Sequence, residues 1–352
     1  MKGRVVLLDQ VAGRAAAALM VDGHLADVLI DAPEDAGPMP GAIYRAVADR
    51  PMKGQGGVTV SMGTAKGFLK QAGGVSPGDK MLVQVTGPAE AGKAAPVSTK
   101  ILFKSRYAIV TPDAPGINVS RRIRDEAERD RLLEVAHAAM EGAPEGFGAI
   151  LRSAAEEVDD DALEADIAAM RDLATAVMAD TAGAPEILVD APDAHHLAWR
   201  DWADPDPDEV IDVPGCFEIH GVIEAVEAAL SARVDLAGGA TAYVEPTRAL
   251  VAVDVNTGGD TSLAAGLKAN LALARALPRV LRIKGLGGQI TLDLAPMPKK
   301  DRRVLEDALR RAFREDGAEV VLAGWTPLGC YELQKKRDRP PLSGLWPASA
   351  SA

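Results

Sequence analysis

The sequence has little cysteine, since its 352 residues include only Cys216 and Cys330. These two residues are far apart and form no Cys-x-x-Cys pattern. The sequence therefore excludes a disulfide framework and a four-cysteine zinc site, and a reducing cytoplasm is the expected location.

Long apolar runs are also missing. No run reaches the roughly 18 residues that a membrane span needs, and the N-terminus turns polar at Asp9, too early for a secretory signal. We therefore expect no membrane association. Hydrophobic residues still make up 47% of the chain and charged residues 26%, which excludes a mostly disordered protein. The length fits two or more domains.

The chain has no overall excess of positive charge, because its net charge is −12. Residues 233–352 hold 18 basic and 13 acidic residues, which gives +5, while the other 21 basic and 38 acidic residues give −17 on residues 1–232. A basic C-terminal third can hold a polyanion locally. Charge alone favours the simpler interpretation of a well-solvated surface.

The order of the predicted elements indicates several domains. After two strands at residues 4–8 and 26–30, short strands broken by Gly and Pro fill residues 38–104 and predict a small β-barrel. From residue 233 strands alternate with helices, as in an α/β layer structure. Helices are predicted at 126–140, 158–178, 221–231 and 263–277, with an end or kink at Pro278 and an irregular connection at 191–212.

Two predicted strands of the C-terminal part carry an aspartate near their ends. In residues 250–256, alternation places valines on one face and Asp254 and Asn256 on the other, and in residues 289–294 Asp293 lies opposite an apolar face. A helix and a Gly-rich turn separate the strands, so the unit is βαβ and the strands should be parallel, about 4.8 Å apart. Asp254 and Asp293 should then meet at one sheet edge.

Two adjacent carboxylates repel each other, and a divalent cation removes that cost. Mg²⁺ prefers one or two carboxylates, retains waters and binds phosphate oxygens, and it can polarise a phosphoryl group. Asn256 is placed to hold a metal-bound water or a phosphate. The alternative is that Asp254 and Asp293 are turn or cap residues at strand ends, which the pattern alone favours.

Basic residues follow the second strand. Lys299, Lys300 and Arg303 begin a predicted amphipathic helix, and a basic cluster at residues 335–337 follows a later strand. Basic groups beside a carboxylate–metal site suit a phosphodiester substrate. A salt-bridged, solvated surface explains each cluster about equally well.

Four segments together resemble the ribonuclease E/G family of endoribonucleases. Residues 238–259 and 286–297 are similar to the two metal-ligand motifs of that family, residues 327–337 to its closing motif, and residues 104–123 to a further motif. The resemblance covers nearly the whole chain. Because several motifs occur in the same order as in the family, together they are specific for it.

The resemblance implies an α+β and α/β multidomain fold. Its parts are a ribonuclease H-like domain, an OB-fold RNA-binding barrel inserted in it, a sensor domain for RNA 5′ ends and a deoxyribonuclease-I-like α/β catalytic domain. The implied boundaries are 1–37 with 188–232 for the ribonuclease H-like domain, 38–104 for the OB-fold, 105–187 for the sensor and 233–352 for the catalytic domain.

The resemblance also implies a Mg²⁺-dependent endoribonuclease that hydrolyses single-stranded RNA in RNA processing or decay. Asp254 and Asp293 match the metal ligands, and Asn256 matches the supporting amide. The family's zinc-linking cysteine pair is missing, so a zinc-linked tetramer is not expected, while a homodimer is left open.

The resemblance assigns further residues to substrate binding. Arg152 and Ser153 match a pocket for a 5′ monophosphate, and Phe68 matches a barrel aromatic that stacks on a base. Apart from the family, a helix-flanking Arg152 and a core Phe68 are the plainer interpretations. The implied substrate-binding residues are Phe68, Arg121, Arg122, Arg152, Ser153, Lys299, Lys300, Arg303, Lys335, Lys336 and Arg337.

Three departures motivate a second hypothesis, and the missing zinc-linking cysteines are one of them. Thr59 stands where the family often has another barrel aromatic, and residues 1–232 are acidic. The alternative function is therefore a catalytically weak or inactive relative that binds RNA or protein. The retained Asp254, Asn256 and Asp293 argue against it.

Overall fold

The structure of the protein, a computed structural model, describes residues 2–52, 56–70, 73–90 and 92–347. The strands are β1 (Arg4–Val11), β2 (Arg14–Val21), β3 (His24–Ile30), β4 (Ile43–Met52), β5 (Gly57–Met62), β6 (Ala65–Leu69), β7 (Lys80–Val85), β8 (Ala95–Ser98), β9 (Phe103–Lys104), β10 (Ala108–Thr111), β11 (Gly116–Val119), β12 (Gly148–Leu151), β13 (Glu186–Val189), β14 (Glu209–Ile211), β15 (Arg233–Asp235), β16 (Thr241–Pro246), β17 (Val251–Asn256), β18 (Gly288–Asp293), β19 (Val320–Trp325) and β20 (Tyr331–Lys335). The α-helices are α1 (Glu126–Ala139), α2 (Asp160–Ala179), α3 (Ala194–Asp201), α4 (Cys216–Ile219), α5 (Val222–Leu230), α6 (Ala265–Ile283), α7 (Arg302–Asp316) and α8 (Leu342–Leu345).

Three of the predicted helices, α1, α2 and α5, lie where the sequence places them. The prediction for residues 191–212 was wrong, because this segment contains α3 and β14. Asp193, which as a polar residue suggested a loop, instead caps α3 by accepting a hydrogen bond from the His196 backbone N–H at 2.7 Å. None of the helices in the described residues has the length and apolar content that a membrane crossing needs.

The fourth predicted helix, α6, does not end or break at Pro278 but runs on to Ile283. Proline removes one helical hydrogen bond. Here Leu277 and Leu281 are both fully buried, one on each side of the proline. Their burial offsets the lost bond, at roughly 2 kcal/mol for each side chain.

The first two sheets are built mainly from strands of residues 4–98. One has the order β14-β1-β2-β3, with β1 to β3 antiparallel and β14 parallel to β1. The second contains β4, β5, β6, β8 and β7 and closes on itself because β4 also pairs with β7. The predicted small barrel is confirmed, and its topology is OB-like. β13 extends the barrel at β4.

The third sheet has the order β11-β12-β10-β9. Helices α1 and α2 pack on it through a core that includes Leu132, Leu151 and Leu163, all fully buried. Three of its four strands lie at the start of the predicted sensor domain, and β9 falls at the end of the range predicted for the OB-fold. The boundaries of all four predicted domains stay predictions, and residues 348–352 lie outside the described part.

The fourth sheet has the order β15-β16-β17-β18-β20-β19. β17 and β18 are parallel, and the other neighbours are antiparallel. Helices α6 and α7 cover one face, where Leu277, Leu309 and Phe313 belong to the buried core. The mixed α/β character is as predicted. The ribonuclease H-like and deoxyribonuclease-I-like assignments stay predictions.

A buried ionic cluster joins the first sheet to the C-terminal part. The Asp27 side chain, 4% exposed, accepts hydrogen bonds from Arg339 at 2.7 and 3.3 Å and from the Trp202 indole at 3.3 Å. Arg282 of α6 lies 3.5 Å from the same carboxylate. The cluster fixes the end of the C-terminal part against β3.

Replacing Asp27 by Asn is expected to lower the free energy of unfolding by about 3 kcal/mol, because the half-buried Arg339 loses its paired carboxylate, whereas Arg282 keeps Asp316. Urea denaturation followed by tryptophan fluorescence measures the change. The control is the exposed Asp35→Asn, which should change stability by less than about 0.5 kcal/mol. Equal stability of both variants would contradict a structural role for the cluster.

Candidate active site

Asp254 and Asp293 occupy paired positions in the fourth sheet. β17 and β18 are parallel, and the register places Asp254 directly beside Asp293. The parallel pairing that the βαβ pattern predicts is therefore confirmed. Parallel neighbours lie about 4.8 Å apart, so the two carboxylates share one edge of the sheet.

Both carboxylates lie on the face of the sheet opposite α6 and α7. Val253 and Leu292 are buried, whereas Asp254 and Asp293 are exposed. This follows from the alternation of side chains along each strand. The acidic pair is therefore open to solvent and to a large substrate.

Asn256 fixes one of the two carboxylates. Its side-chain amide donates a hydrogen bond to Asp254 Oδ2 at 2.9 Å. In the described part of the chain, no arginine or lysine forms an ion pair with Asp254 or Asp293. The pair therefore keeps its negative charge available for an external cation.

The donor set fits Mg²⁺. Among the described residues, no three His, Cys, Asp or Glu side chains converge to enclose an ion. Asp254 and Asp293 thus offer two carboxylates, and Mg²⁺ commonly takes one or two and completes its shell with water and phosphate oxygens. Zinc, which favours nitrogen and sulfur ligands, is a poor match.

Asn270, a residue that the sequence reasoning missed, holds the segment that follows Asp293. This fully buried side chain accepts a hydrogen bond from the Ala295 N–H at 3.0 Å and donates one to the Ala295 C=O at 2.9 Å. Gly266 lets the segment approach α6, because a Cβ there would lie 1.9 Å from the Pro296 oxygen. The strand end carrying Asp293 is thereby anchored to α6.

Replacing Asn270 by Ala is expected to lower the nuclease activity that the sequence resemblance implies by about 10- to 100-fold, because supporting groups around a metal ligand carry effects of that size. It also leaves a buried N–H and C=O unsatisfied, which costs about 2 kcal/mol of stability. Cleavage assays and urea denaturation measure both effects. Arg275→Ala, an exposed change on the same helix, is the control, and equal behaviour of the two variants would contradict the anchoring role.

The basic residues at the start of α7 lie beyond the strand that carries Asp293. Lys299, Lys300 and Arg303 are exposed, and within the described residues none of them forms an ion pair. They are free to contact a phosphate, and this role stays a prediction.

Arg302, between these residues, was not singled out from the sequence. Its guanidinium carbon lies 4.0 Å from the centroid of the Trp325 ring, within cation–π range. The Trp325 indole N–H in turn donates to Glu306 at 2.7 Å. Arg302 is therefore held in one orientation beside the predicted phosphate contacts.

The cluster at residues 335–337 lies at the other end of β18, because Lys335 pairs with Gly288. The Lys335 side chain is 4% exposed, and its ammonium contacts the Asp338 carboxylate at 3.2 Å. Lys336 lies 3.3 Å from Glu319, and Arg337 contacts Glu90 and donates to the Gly287 oxygen at 3.3 Å. RNA contacts by these three residues stay predictions, and each side chain already has a partner within the protein.

Phe68 lies on the outer surface of the barrel. It is half-buried, while its neighbours Gly67 and Leu69 are buried inside. The register places Phe68 beside Thr59, and a Cβ on Gly57 would lie 2.5 Å from the Phe68 ring. The ring therefore rests over Gly57, and base stacking on its other side stays a prediction.

Arg121 and Arg122 lie between β11 and α1. Both side chains are exposed, and Arg122 lies 3.0 Å from the Asp204 carboxylate. Their assignment to RNA binding stays a prediction.

Arg152 is held by several partners. Its guanidinium donates to the backbone oxygens of Ser105, Arg106 and Arg200 at 2.7, 3.3 and 3.1 Å, and to Asp201 at 3.0 Å. Burial acts to raise the pKa of Asp201, but hydrogen bonds and positive charge from Arg200 and Arg152 outweigh it, so the pKa lies below its usual value. Arg152 is therefore fixed in orientation by an ionised carboxylate.

Ser153 directly follows Arg152 and begins a short 3-10 turn, Ser153–Ala155. Its side chain is half-buried. The structure thus places the two predicted pocket residues next to each other at the end of β12, and their role in binding a 5′ monophosphate stays a prediction.

Comparison with known proteins adds independent evidence. The Ribonuclease E/G family matches residues 103–214 and 212–338. The chain is 30% identical over 302 residues to Ribonuclease G of Salmonella typhimurium (strain SL1344), and 30% identical over 303 residues to Ribonuclease G of Escherichia coli (strain K12). It is 28% identical over 302 residues to Ribonuclease E of Nostoc sp. (strain PCC 7120 / SAG 25.82 / UTEX 2576).

Each of these matches covers 75% of this chain. They cover 61% of either Ribonuclease G and 44% of the Ribonuclease E, so the chain spans less than two thirds of these relatives. The family match nevertheless extends over most of the sequence and includes both aspartate-bearing strands. The chain belongs to the ribonuclease E/G family.

Proposed function

We propose that the protein is a Mg²⁺-dependent endoribonuclease that hydrolyses phosphodiester bonds of single-stranded RNA in RNA processing or decay. The observation that carries the proposal is the register of β17 and β18, which pairs Asp254 with Asp293 on an exposed sheet face. Family membership supports the reaction class, and the donor set supports the metal.

Asp254 and Asp293 hold the metal in this proposal. A Mg²⁺ ion held there would supply activation of a water and neutralisation of the charge that develops on the phosphoryl oxygens. Asn256 keeps the Asp254 carboxylate oriented through its 2.9 Å hydrogen bond. Lys299, Lys300 and Arg303 attract the RNA backbone. Cleavage leaves a 5′ phosphate and a 3′ hydroxyl.

The other parts of the chain position the RNA. The predicted OB-fold at residues 38–104 offers Phe68 for stacking, and Arg152 with Ser153 receive a 5′ monophosphate. The domain assignment proposed from the sequence, with ribonuclease H-like and deoxyribonuclease-I-like parts, accompanies this function. A cytoplasmic location, single-stranded RNA as partner and a homodimer without a zinc link belong to the same proposal.

A catalytically inactive relative that binds RNA or protein is the second candidate. The observation in its favour is that Lys335, Lys336, Arg337 and Arg152 all contact carboxylates of the protein itself. The carboxylates of Asp254 and Asp293, which form no ion pair with a described residue, favour the nuclease.

A cleavage assay on a labelled single-stranded oligonucleotide separates the two candidates. Internal cleavage that requires Mg²⁺ and stops with a chelator supports the nuclease. An oligonucleotide that stays intact at every Mg²⁺ concentration, while the protein still binds it, supports the inactive relative.

A further inference from the structure

Tyr243 is an aromatic residue at the candidate active site that has no role in the function proposed above. It lies on β16, directly opposite Asp254 of β17 in an antiparallel pair of strands. Directly opposite residues of such a pair have Cβ atoms about 5 Å apart and lie on the same face of the sheet. Tyr243 therefore stands on the exposed face, next to a carboxylate that holds the metal ion in the proposed function.

Tyr243 is open to solvent, which sets it apart from most aromatic residues of this chain. It is 39% exposed, and in the described part of the chain Trp199 is the one aromatic residue with greater exposure. Its neighbours on β16, Ala242 and Val244, are buried on the other face of the sheet. An aromatic ring left in water forgoes the free energy that burial would contribute. Packing in the core therefore does not explain an aromatic residue at this position.

The Tyr243 ring has no partner among the described residues. None of them forms a hydrogen bond with its hydroxyl, contacts its ring with another ring or places a cation over it. Arg233, its neighbour on β15, is held instead by Asp235 at 2.9 Å. The ring is therefore available to a planar group of a ligand.

The charges near Tyr243 are mostly negative, which limits what can bind there. Asp254 lies beside it, Asp293 lies one strand further on, and the exposed Glu245 lies two residues along β16 on the same face. Such a surface repels the phosphates of RNA except where a metal ion intervenes. Contacts next to the ion must then come from an uncharged part of the nucleotide. The flat base is the part that an aromatic ring can hold by stacking.

We propose that Tyr243 stacks on the nucleobase next to the scissile phosphate and is a substrate-binding residue that places this nucleotide at the metal ion. The inference rests on the proposed function, in which the ion on Asp254 and Asp293 holds that phosphate. Every base has a flat face, so the contact tolerates any RNA sequence. It also requires an unpaired, accessible base, which a single strand offers and a duplex does not.

The test compares Tyr243→Ala and Tyr243→Phe with the wild type in the full chain. Val321→Ala is the matched control, because Val321 is a 65% exposed apolar residue on β19, at the far edge of the same sheet. Cleavage of a single-stranded oligonucleotide with one mapped cleavage site is measured as kcat/KM. Two further oligonucleotides of the same sequence lack the base on the 5′ side or on the 3′ side of the cleaved bond.

The expected effect depends on the base. Tyr243→Ala lowers kcat/KM for the intact RNA about 10-fold, the size expected for one stacked base, while Tyr243→Phe keeps the ring and stays within about twofold of the wild type. Val321→Ala changes kcat/KM by less than about twofold. On one of the two RNAs that lack a base, Tyr243→Ala and the wild type cleave equally fast, because the stacking partner is already gone.

Three outcomes overturn the proposal: an unchanged kcat/KM in Tyr243→Ala, an equal loss in Tyr243→Phe, or a loss in Tyr243→Ala that persists on both RNAs that lack a base. Failure of the nuclease proposal is distinct, because the wild-type protein would then cleave no RNA. In that case fluorescence anisotropy with Mg²⁺ compares binding of the intact and a wholly abasic oligonucleotide. Tyr243→Ala must weaken binding of the intact RNA alone, and any other result overturns the stacking role.

Discussion

Replacing either Asp254 or Asp293 by Asn is expected to lower RNA cleavage on the order of 10³-fold, an effect typical of losing an electrostatic group at a reacting centre. Each substitution keeps the shape of the side chain and removes one of the two negative charges that attract the metal. Because the two residues act on one ion, the double substitution should lower the cleavage rate by about the same factor as either single substitution. Initial cleavage rates at saturating Mg²⁺ measure the effect.

The matched control for this pair is Asp235→Asn. Asp235 is an exposed carboxylate on the edge strand of the same sheet and lies 2.9 Å from Arg233. Its substitution should leave cleavage within about twofold, since surface ion pairs contribute little. Full activity in Asp254→Asn or Asp293→Asn, with the fold intact by circular dichroism, would refute their role as ligands.

Replacing Asn256 by Ala is expected to lower cleavage about 10- to 100-fold, the range seen when a group that orients a metal ligand is lost. The Asp254 carboxylate then loses its 2.9 Å hydrogen bond and can rotate. A Mg²⁺ titration of the rate distinguishes this role from a purely structural one, because the concentration of Mg²⁺ for half-maximal activity should rise.

The variant Asn256→Asp tests the role of the same position in a second way. It removes the amide donor and places a third negative charge beside Asp254, so it should change the Mg²⁺ dependence more than Asn256→Ala does. If both variants reach the wild-type rate at the wild-type Mg²⁺ concentration, Asn256 does not support the site.

The main features of the fourth sheet could be predicted from the sequence because they follow from local patterns. Alternation in residues 250–256 and 289–294 indicates which side chains face away from the core, and the intervening helix makes the strands parallel. The structure has both features, including the direct pairing of Asp254 with Asp293. The small barrel was likewise readable from short strands and Gly/Pro breaks.

Residues whose partners are distant in the sequence escaped prediction. Asn270 contacts Ala295, 25 residues away, and Asp27 contacts Arg339, 312 residues away. Each is a polar residue whose burial is possible because a distant partner forms hydrogen bonds with it. Local sequence patterns do not predict such a partner. The helix was expected to end or kink at Pro278, and it does not end there, since tertiary burial on both sides outweighs a local helix-ending signal.

The two faces of the fourth sheet have different roles. One face packs in the hydrophobic core, and the other carries the candidate site. Helices α6 and α7 bury one face, whereas Asp254 and Asp293 on the other face are exposed. That second face carries Tyr243 opposite Asp254, and Asp254 beside Asp293. The acidic pair is therefore open to an extended polymer, which agrees with the proposed endonuclease.

The most direct test of the central claim is a titration of the protein with Mn²⁺, a paramagnetic substitute for Mg²⁺, followed by electron paramagnetic resonance. The account predicts one ion bound per wild-type chain, displaced by Mg²⁺, and loss of this ion in Asp254→Asn, in Asp293→Asn and in the double variant alike. Undiminished Mn²⁺ binding in either single variant would show that the two carboxylates do not share an ion.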